Sequence, residues 1–298
     1  MAQLKIGEIT VDRVIEAEGA GFFPGYIFPD ADPDGVAAEQ DWMAPDFLDP
    51  ASGRLLQGNA CFLLRRPGMT MLVDTCVGNG KPRPSSRTWN NMQTDWLDRL
   101  AALGVRPEDV THVFNTHLHV DHCGWNTVAD GDRWVPTFPN AKYLLPKTEF
   151  AFWADPANDA VTGTGANDGC YLDSVLPVHE AGLATLVDVG DRAADDMWFE
   201  SAAGHAPGQL TLNVQLPGER LIFTGDLFHS PLQIARPEWS SKFDVDRRAA
   251  AERRRQFIGE HADADTIVLS AHACTPNAGR IVTHKDGRTI FRLLKDLR

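Results

Sequence analysis

The chain has 298 residues, 43% hydrophobic and 23% charged, an ordinary globular composition that excludes a disordered or fibrous protein. Lys and Arg number 28 against 41 Asp and Glu, a formal charge of −13, which sets the surface against phosphate backbones and anionic lipid. No nucleic-acid partner and no membrane partner is therefore expected.

The first residues, MAQLKIGEIT, alternate polar and apolar types and read as the approach to a strand, not as a signal peptide. No apolar window is long enough for a membrane span. The 5 cysteines are odd in number, widely spaced and without a CxxC pair, which fits a reducing compartment, and the expected location is the cytoplasm. A first strand is expected over Lys5 to Glu16. From Gly19 to Gly53 a long segment mixes aromatic residues with Pro, Gly and Asp. It reads either as a surface loop whose rings tuck into the core or as an apolar flap over a pocket. NACFLLRRPGMTMLVDTC then forms a hairpin turning at Arg66, Pro67 and Gly68.

Thr88 to Leu103 carries apolar residues at helical spacing, with Gly104 as the stop. Val110 to Phe114 is a short buried strand. Further strands are expected at Lys142 to Leu145, Leu210 to Leu216, Leu221 to Thr224 and Thr266 to Ser270. A charged helix with a solvated face spans Asp246 to His261, and Arg280 to Leu294 closes the chain as a strand and a short helix. Two sheets with helices outside them accommodate this order. No repeat, low-complexity tract or polar linker interrupts it, so one domain over 1–298 is expected.

The segment FNTHLHVDHCGWN places His117, His119, Asp121 and His122 within six residues, immediately after the Val110 to Phe114 strand. This spacing cannot share one helix face. On a loop leaving a strand it can aim two imidazoles at one metal and the Asp–His pair at a neighbouring one. The rival reading, a polar cluster at a strand end, would crowd four costly groups with nothing to satisfy them. His205 in SAAGHAPGQ, Asp226 in RLIFTGDLF and His272 in TIVLSAHAC lie at further strand-to-loop junctions. Together these residues can supply two divalent ions. His117, His119 and His205 would hold the first, Asp121, His122 and His272 the second, and Asp226 would bridge them. Zn²⁺ is the expected ion, with Mn, Fe or Co compatible. An open position on each metal leaves room for a bridging hydroxide.

The early hairpin, THLHVDHCG, GHAPGQ, TGDL and SAH, in that order, resemble the metallo-β-lactamase superfamily over nearly the whole chain. The resemblance implies an αββα sandwich of two packed mixed β-sheets with helices on the outer faces. All seven ligand positions match. Retention of the bridging aspartate, Asp226, separates the chain from the zinc β-lactamases, and the −13 charge speaks against the nuclease branches. Residues 273–298 are too few for the helical glutathione-binding domain of glyoxalase II thioesterases. What remains resembles the lactonase and methyl-parathion-hydrolase-like branch.

Two positions depart from that branch. Where many of its lactonases carry a tyrosine three residues after the bridging aspartate, this chain has His229. Where a histidine often follows the GHAPG segment, it has Gln209.

The expected chemistry is opening of a hydrophobic lactone or carboxylic ester by the metal-bridging hydroxide. Asp226 and Asp121 serve the metals and the nucleophile, and His229 is the candidate acid for the departing alkoxide. Phe22, Phe23, Tyr26, Phe28 and Trp125 are the candidate pocket wall, with Trp198 and Phe228 secondary. No Lys or Arg cluster adjoins the motifs, which favours a neutral substrate. Cys123 and Cys274 read as packed thiols, and His112, His179, His261 and His284 as surface or incidental residues. A phosphotriesterase, a thioesterase and a non-catalytic metal-bound scaffold or sensor are the alternatives. The family resemblance allows a homodimer through the aromatic N-terminal segment.

Overall fold

The structure is a computed structural model that describes residues 3–158, 167–274 and 278–296. Its contacts divide the chain into two compact units. The first takes in Met1–Ala17 and Asn59–Asp188, the second Glu18–Gly58 and Val189–Arg298.

The first unit is built on a seven-stranded mixed sheet. Its strands are β1 (Leu4–Ile6), β2 (Ile9–Ala20), β3 (Leu56–Arg66), β4 (Met69–Val73), β5 (His112–Phe114), β8 (Lys142–Pro146) and β9 (Ala184–Val187), in that spatial order. The hairpin of β3 and β4 turns where the sequence places it, with Gly68 at a φ of 77°. The strand expected over Lys5 to Glu16 is instead two strands, because Gly7 takes a φ of 58° and folds β1 back on β2. From β4 onward the strands run parallel, Val73 opposite Phe114 and Phe114 opposite Leu144. Parallel strands are covered on both faces, and Leu72, Val73, Val113, Phe114, Tyr143 and Leu145 are accordingly all buried. A separate ribbon, β6 (Thr127–Asp130) with β7 (Arg133–Pro136), was not expected from the sequence.

The helix expected over Thr88 to Leu103 is confined to Trp96–Ala102. Upstream of it the chain bonds outward to a neighbouring loop: Thr94 N donates to Asn79 Oδ1 at 2.8 Å and Asn91 N to Lys81 O at 2.8 Å. Those bonds occupy donors that a helix would have needed. Trp96 and Leu100 are buried in the core and Gly104 ends the helix at a φ of 78°.

The second unit carries the other seven-stranded sheet, β10 (Arg192–Ala194), β11 (Met197–Ser201), β12 (Leu210–Leu216), β13 (Glu219–Phe223), β14 (Thr266–Leu269), β15 (Ala278–Thr283) and β16 (Thr289–Leu293), in chain order. Only β13 and β14 pair in parallel, with Phe223 opposite Leu269. The crossover between them contains the helix Arg247–His261, whose first turn is capped by Asp246 accepting from Ala249 N at 2.9 Å. Its buried residues, Ala250, Ala251, Arg254, Phe257, Ile258 and His261, lie at helical spacing on one face. The helix is therefore not simply solvated, and Arg254 and His261 are interior residues, the latter packed on Phe257 at 4.4 Å between ring centres. Where one strand and a short helix are expected over Arg280 to Leu294 there is a hairpin, since Gly287 turns the chain at a φ of 90°, and only a 3-10 turn, Leu294–Asp296, follows it.

The Gly19 to Gly53 segment is not a plain loop. It contains short helices at Pro24–Ile27, Pro33–Ala38 and Gln40–Met43, each opened by a proline or preceded by a polar residue. Phe28, Met43 and Phe47 from it enter the second unit's core beside Phe228, Phe257 and Phe291. No described helix is long and apolar enough to cross a membrane.

Candidate metal centre

In the first unit β4 and β5 run in parallel and end together, which brings Asp74 beside the start of the histidine-rich loop. Asp74 N donates to Phe114 O at 2.8 Å. The Asp74 carboxylate then accepts Thr116 N at 2.7 Å on Oδ1, and lies 2.9 Å from His122 Nδ1 on Oδ2. Asp74 itself holds a φ of 61°, the left-handed region that Asp and Asn tolerate best among side-chain-bearing residues. His117 Nδ1 sits 3.1 Å from Thr116 Oγ1. The rings of His117 and His119 are 4.5 Å apart and those of His117 and His122 4.0 Å apart, while Asp121 Oδ1 lies 3.7 Å from His122 Nε2. The three histidines are buried and Asp121 is half-buried.

The loop is fixed by backbone bonds to the segment after β4. Thr75 N donates to His122 O at 2.7 Å, Gly124 N to Cys76 O at 2.7 Å and Trp125 N to Thr75 O at 2.8 Å. The approach is so close that a Cβ on Gly124 would stand 1.8 Å from Val77 O. Glu16 accepts Val77 N at 2.9 Å and Trp125 Nε1 at 2.7 Å, and burial raises its carboxyl above the usual range against those bonds.

In the second unit the parallel pair β13 and β14 sets Asp226 and His272 each three residues beyond paired positions. Thr224 N donates to Leu269 O at 3.1 Å and ties the two strand ends together. Gln209 Nε2 donates to Thr224 O at 3.0 Å, so this departure from the branch pattern serves the strand end that carries Asp226. Three imidazoles converge on Asp226 Oδ2 through Nε2: His272 at 3.1 Å, His205 at 3.3 Å and His229 at 3.4 Å. Two of the rings are held from behind. His205 Nδ1 lies 3.0 Å from Asp244 Oδ1, and His272 Nδ1 lies 3.1 Å from Gly58 O. Burial works against ionisation of Asp244, but His205 and the Arg254 guanidinium outweigh it and hold its carboxyl below the usual range. Burial pushes His229 down to about 3 despite the pull of Asp226, so its imidazole is neutral at ordinary pH.

These donors are imidazole nitrogen and carboxylate oxygen, and His122, His205 and His272 are oriented through Nδ1 by protein oxygens. That is the arrangement by which metal-binding histidines are aimed through Nε2, and the clusters fit a divalent metal. His205, His229 and Asp244 also offer ligand atoms within 4.8 Å of one another.

The aromatic candidates separate. Trp125 is interior to the first unit, stacked on Trp96 at 5.2 Å, and is no pocket wall there. Phe28 and Phe228 are buried in the second unit's core, and Trp198 lies on β11 with Nε1 donating to Glu200 Oε1 at 2.7 Å. Phe22, Phe23 and Tyr26 are exposed, at 38%, 48% and 54%. Phe23 borders an open groove of about 370 Å³ with Val36 and Leu48. Sequence reasoning passed over Asp74 and Asp244. An acid at the very end of the apolar run MTMLV was a usable signal for the first. The DVD context of the second offered none.

A family model described as the metallo-beta-lactamase superfamily matches residues 55–272. The chain is 26% identical over 185 residues to N-acyl homoserine lactonase AttM of Rhizobium radiobacter, covering 59% of this chain and 63% of that protein. It is 25% identical over 185 residues to the AttM lactonase of Agrobacterium fabrum. The match thus spans less than two thirds of these curated relatives. Among solved structures, hydrolase AbOPH of the beta lactamase superfamily superposes with a TM-score of 0.79 at 23% identity, over 98% of this chain and 96% of that one. AidC, a dizinc quorum-quenching lactonase in complex with a product, gives 0.75 at 20% identity over the same shares. The two mixed sheets with their helices are the fold of these neighbours. With the family model covering most of the sequence and both ligand-bearing regions, the chain belongs to the metallo-beta-lactamase superfamily.

Proposed function

We propose that this protein is a dinuclear-metal hydrolase that opens a hydrophobic lactone or carboxylic ester. The observation that carries the reading is the convergence of three imidazole Nε2 atoms on Asp226 Oδ2, two of them in rings locked through Nδ1. Sequence similarity to lactonases supports the substrate class. In this reading His117, His119 and His205 hold one ion, Asp121, His122 and His272 the other, and Asp226 serves both, with zinc the expected metal. Two such ions, when bound, acidify a water into a nucleophile near neutral pH and polarise the substrate carbonyl. Asp74, Asp244 and the Gly58 carbonyl keep the ligand rings in the receiving orientation. His229, neutral and 3.4 Å from Asp226 through Nε2, would supply a hydrogen bond to the departing alkoxide.

The test is metal content together with turnover of a γ-lactone, an aryl ester and a phosphotriester on one sample, before and after chelation. About two ions per chain, with lactone or ester turnover lost on chelation and restored by divalent metal, is the expected result. Dominant phosphotriester turnover would replace the substrate class. One ion or none after reconstitution, with no turnover of the three, would overturn the hydrolase.

A further inference from the structure

Within the second unit a file of rings leads from Asp226 to the exposed aromatic segment. His229, 3.4 Å from Asp226 Oδ2, stacks on Phe243 with ring centres 6.4 Å apart. Phe243 meets Phe22 at 6.2 Å, and Phe22 stacks on Tyr26 at 5.1 Å. Lys242 lies along this file, its Nζ 3.4 Å from the centre of the Tyr26 ring and 5.1 Å from that of Phe243.

The charge of Lys242 is unusual for this protein. Acids outnumber bases by 41 to 28, and neighbouring cations of the same unit are taken up by carboxylates: Arg247 by Asp30, Arg236 by Glu39, Arg288 by Asp41 and Lys295 by Asp46. Among the described residues no carboxylate pairs with Lys242; two aromatic faces hold it instead. Its backbone N–H donates to Ile27 O at 2.9 Å, which pins the residue against the short helix that carries Tyr26. Ring faces attract an ammonium but do not neutralise it, so a positive charge is kept in a half-buried, apolar setting where an incoming anion is weakly screened.

We propose that Lys242, with Phe22, Tyr26 and Phe243, forms a subsite for a carboxylate at the end of the substrate remote from the bond that is broken. The apolar stem of such a substrate lies along the rings and its distal carboxylate meets Lys242 Nζ. The inference rests on Asp226 belonging to a hydrolytic centre. It names a substrate class that the residues around the ligand motifs do not suggest: ω-carboxylated acyl esters or lactones in place of wholly neutral ones.

The test compares the metal-loaded wild type with Lys242→Met and Lys242→Arg on two p-nitrophenyl esters, those of octanoic acid and of its ω-carboxylated counterpart, suberic acid. The readout is the ratio of kcat/KM for the two. The ratio of the carboxylated to the neutral ester is expected to fall about tenfold in Lys242→Met, through KM, and to be retained in Lys242→Arg. In the wild type the same ratio should shrink as ionic strength rises. A ratio unchanged by Lys242→Met would overturn the subsite, since a purely structural lysine would lower both rates alike. If the wild type cleaves neither ester, the hydrolase reading is left to the lactone and phosphotriester arms, and calorimetric binding of suberate decides the subsite. Tighter binding by the wild type than by Lys242→Met sustains it, and equal affinity overturns it.

Discussion

Arg254 and Asp244 form an ion pair with no solvent exposure at either side chain, Nη1 to Oδ2 at 3.3 Å, and the second oxygen of the same carboxylate orients His205. One acid thus neutralises a buried cation and aims a candidate metal ligand. The two duties can be separated by mutation. Asp244→Asn is expected to lower metal affinity about 10- to 100-fold and to destabilise the fold by about 3 kcal/mol, because the guanidinium loses its counter-charge. Adding Arg254→Met should restore much of the stability and none of the metal affinity. Denaturant unfolding of the apo forms and metal titration would read the two effects. Recovery of both in the double variant would mean that Asp244 does not act through His205.

Asp74 offers a cleaner case. Asn keeps the left-handed backbone and the bond from Thr116 N, but its side chain no longer draws the His122 Nδ1 proton as a carboxylate does. Asp74→Asn should therefore fold with near wild-type stability and weaken one of the metal-binding steps about 10-fold or more. A titration in which every step is unchanged would remove Asp74 from the site.

Gly124 should tolerate no side chain. A Cβ there meets Val77 O at 1.8 Å, and the facing atoms are backbone on both sides. Gly124→Ala is expected to abolish soluble expression or to cost more than about 3 kcal/mol. Gly131→Ala is the control, a glycine at a φ of 60° with open space around it, where only about 1 kcal/mol of backbone strain is expected. Equal losses in the two variants would mean that the loop shifts to make room.

Lys81 makes stability pH-dependent. It is fully buried, with Nζ 2.7 Å from Thr127 Oγ1 and over the Trp134 ring at 3.7 Å, while Arg83 already takes both oxygens of Asp173, at 2.6 and 2.7 Å. Burial lowers Lys81 from 10.5 to about 8, against the pull of Asp173. Between those values the unfolded chain holds more protons than the folded one, so this residue makes the protein more stable as pH rises through that window. Below the window its desolvation cost is fully present. Lys81→Met should match or exceed the wild type in stability at neutral pH, and the wild type should gain on it by about 1 kcal/mol or more toward pH 10.5. Parallel stability curves for the two proteins between pH 8 and 10.5 would show that the lysine is solvated.

What the sequence revealed of the site is what lies close together in the chain. His117, His119, Asp121 and His122 share one loop, and Asp226 and His272 each follow a short apolar run, so residue type and position are enough to name them as candidates. The groups that aim them come from far away. Asp74 precedes His122 by 48 residues and Asp244 follows His205 by 39. Their pairing is a product of strand and helix placement, which local patterns do not encode. Strands were legible where apolar runs were long, as at β3, β4 and β12. The helix is shorter than the Thr88 to Leu103 pattern implies because the spacing of Trp89, Met92 and Trp96 hides the competing bonds of Asn91 and Thr94. Trp125 reads as a pocket wall in the sequence because a tryptophan beside such a motif looks the same whether it faces a substrate or, as here, Trp96 and Glu16. Lys242 stood alone among polar residues, and only the fold lays Tyr26 and Phe243 against it.

The parallel register of Phe223 with Leu269 has a consequence for how such a chain can vary through evolution. Asp226 and His272 are each counted three residues out from that register, so adding or deleting one residue in either interval would carry one of these candidate ligands away from the other. The turns at the opposite ends of the strands bear no such count. The exposed Pro217–Gly218 turn between β12 and β13 is one that can lengthen without moving Asp226 or His272. Length variation among descendants of this protein should therefore gather at one edge of the second sheet, while the other edge keeps its spacing even where the residues between strand and candidate ligand change.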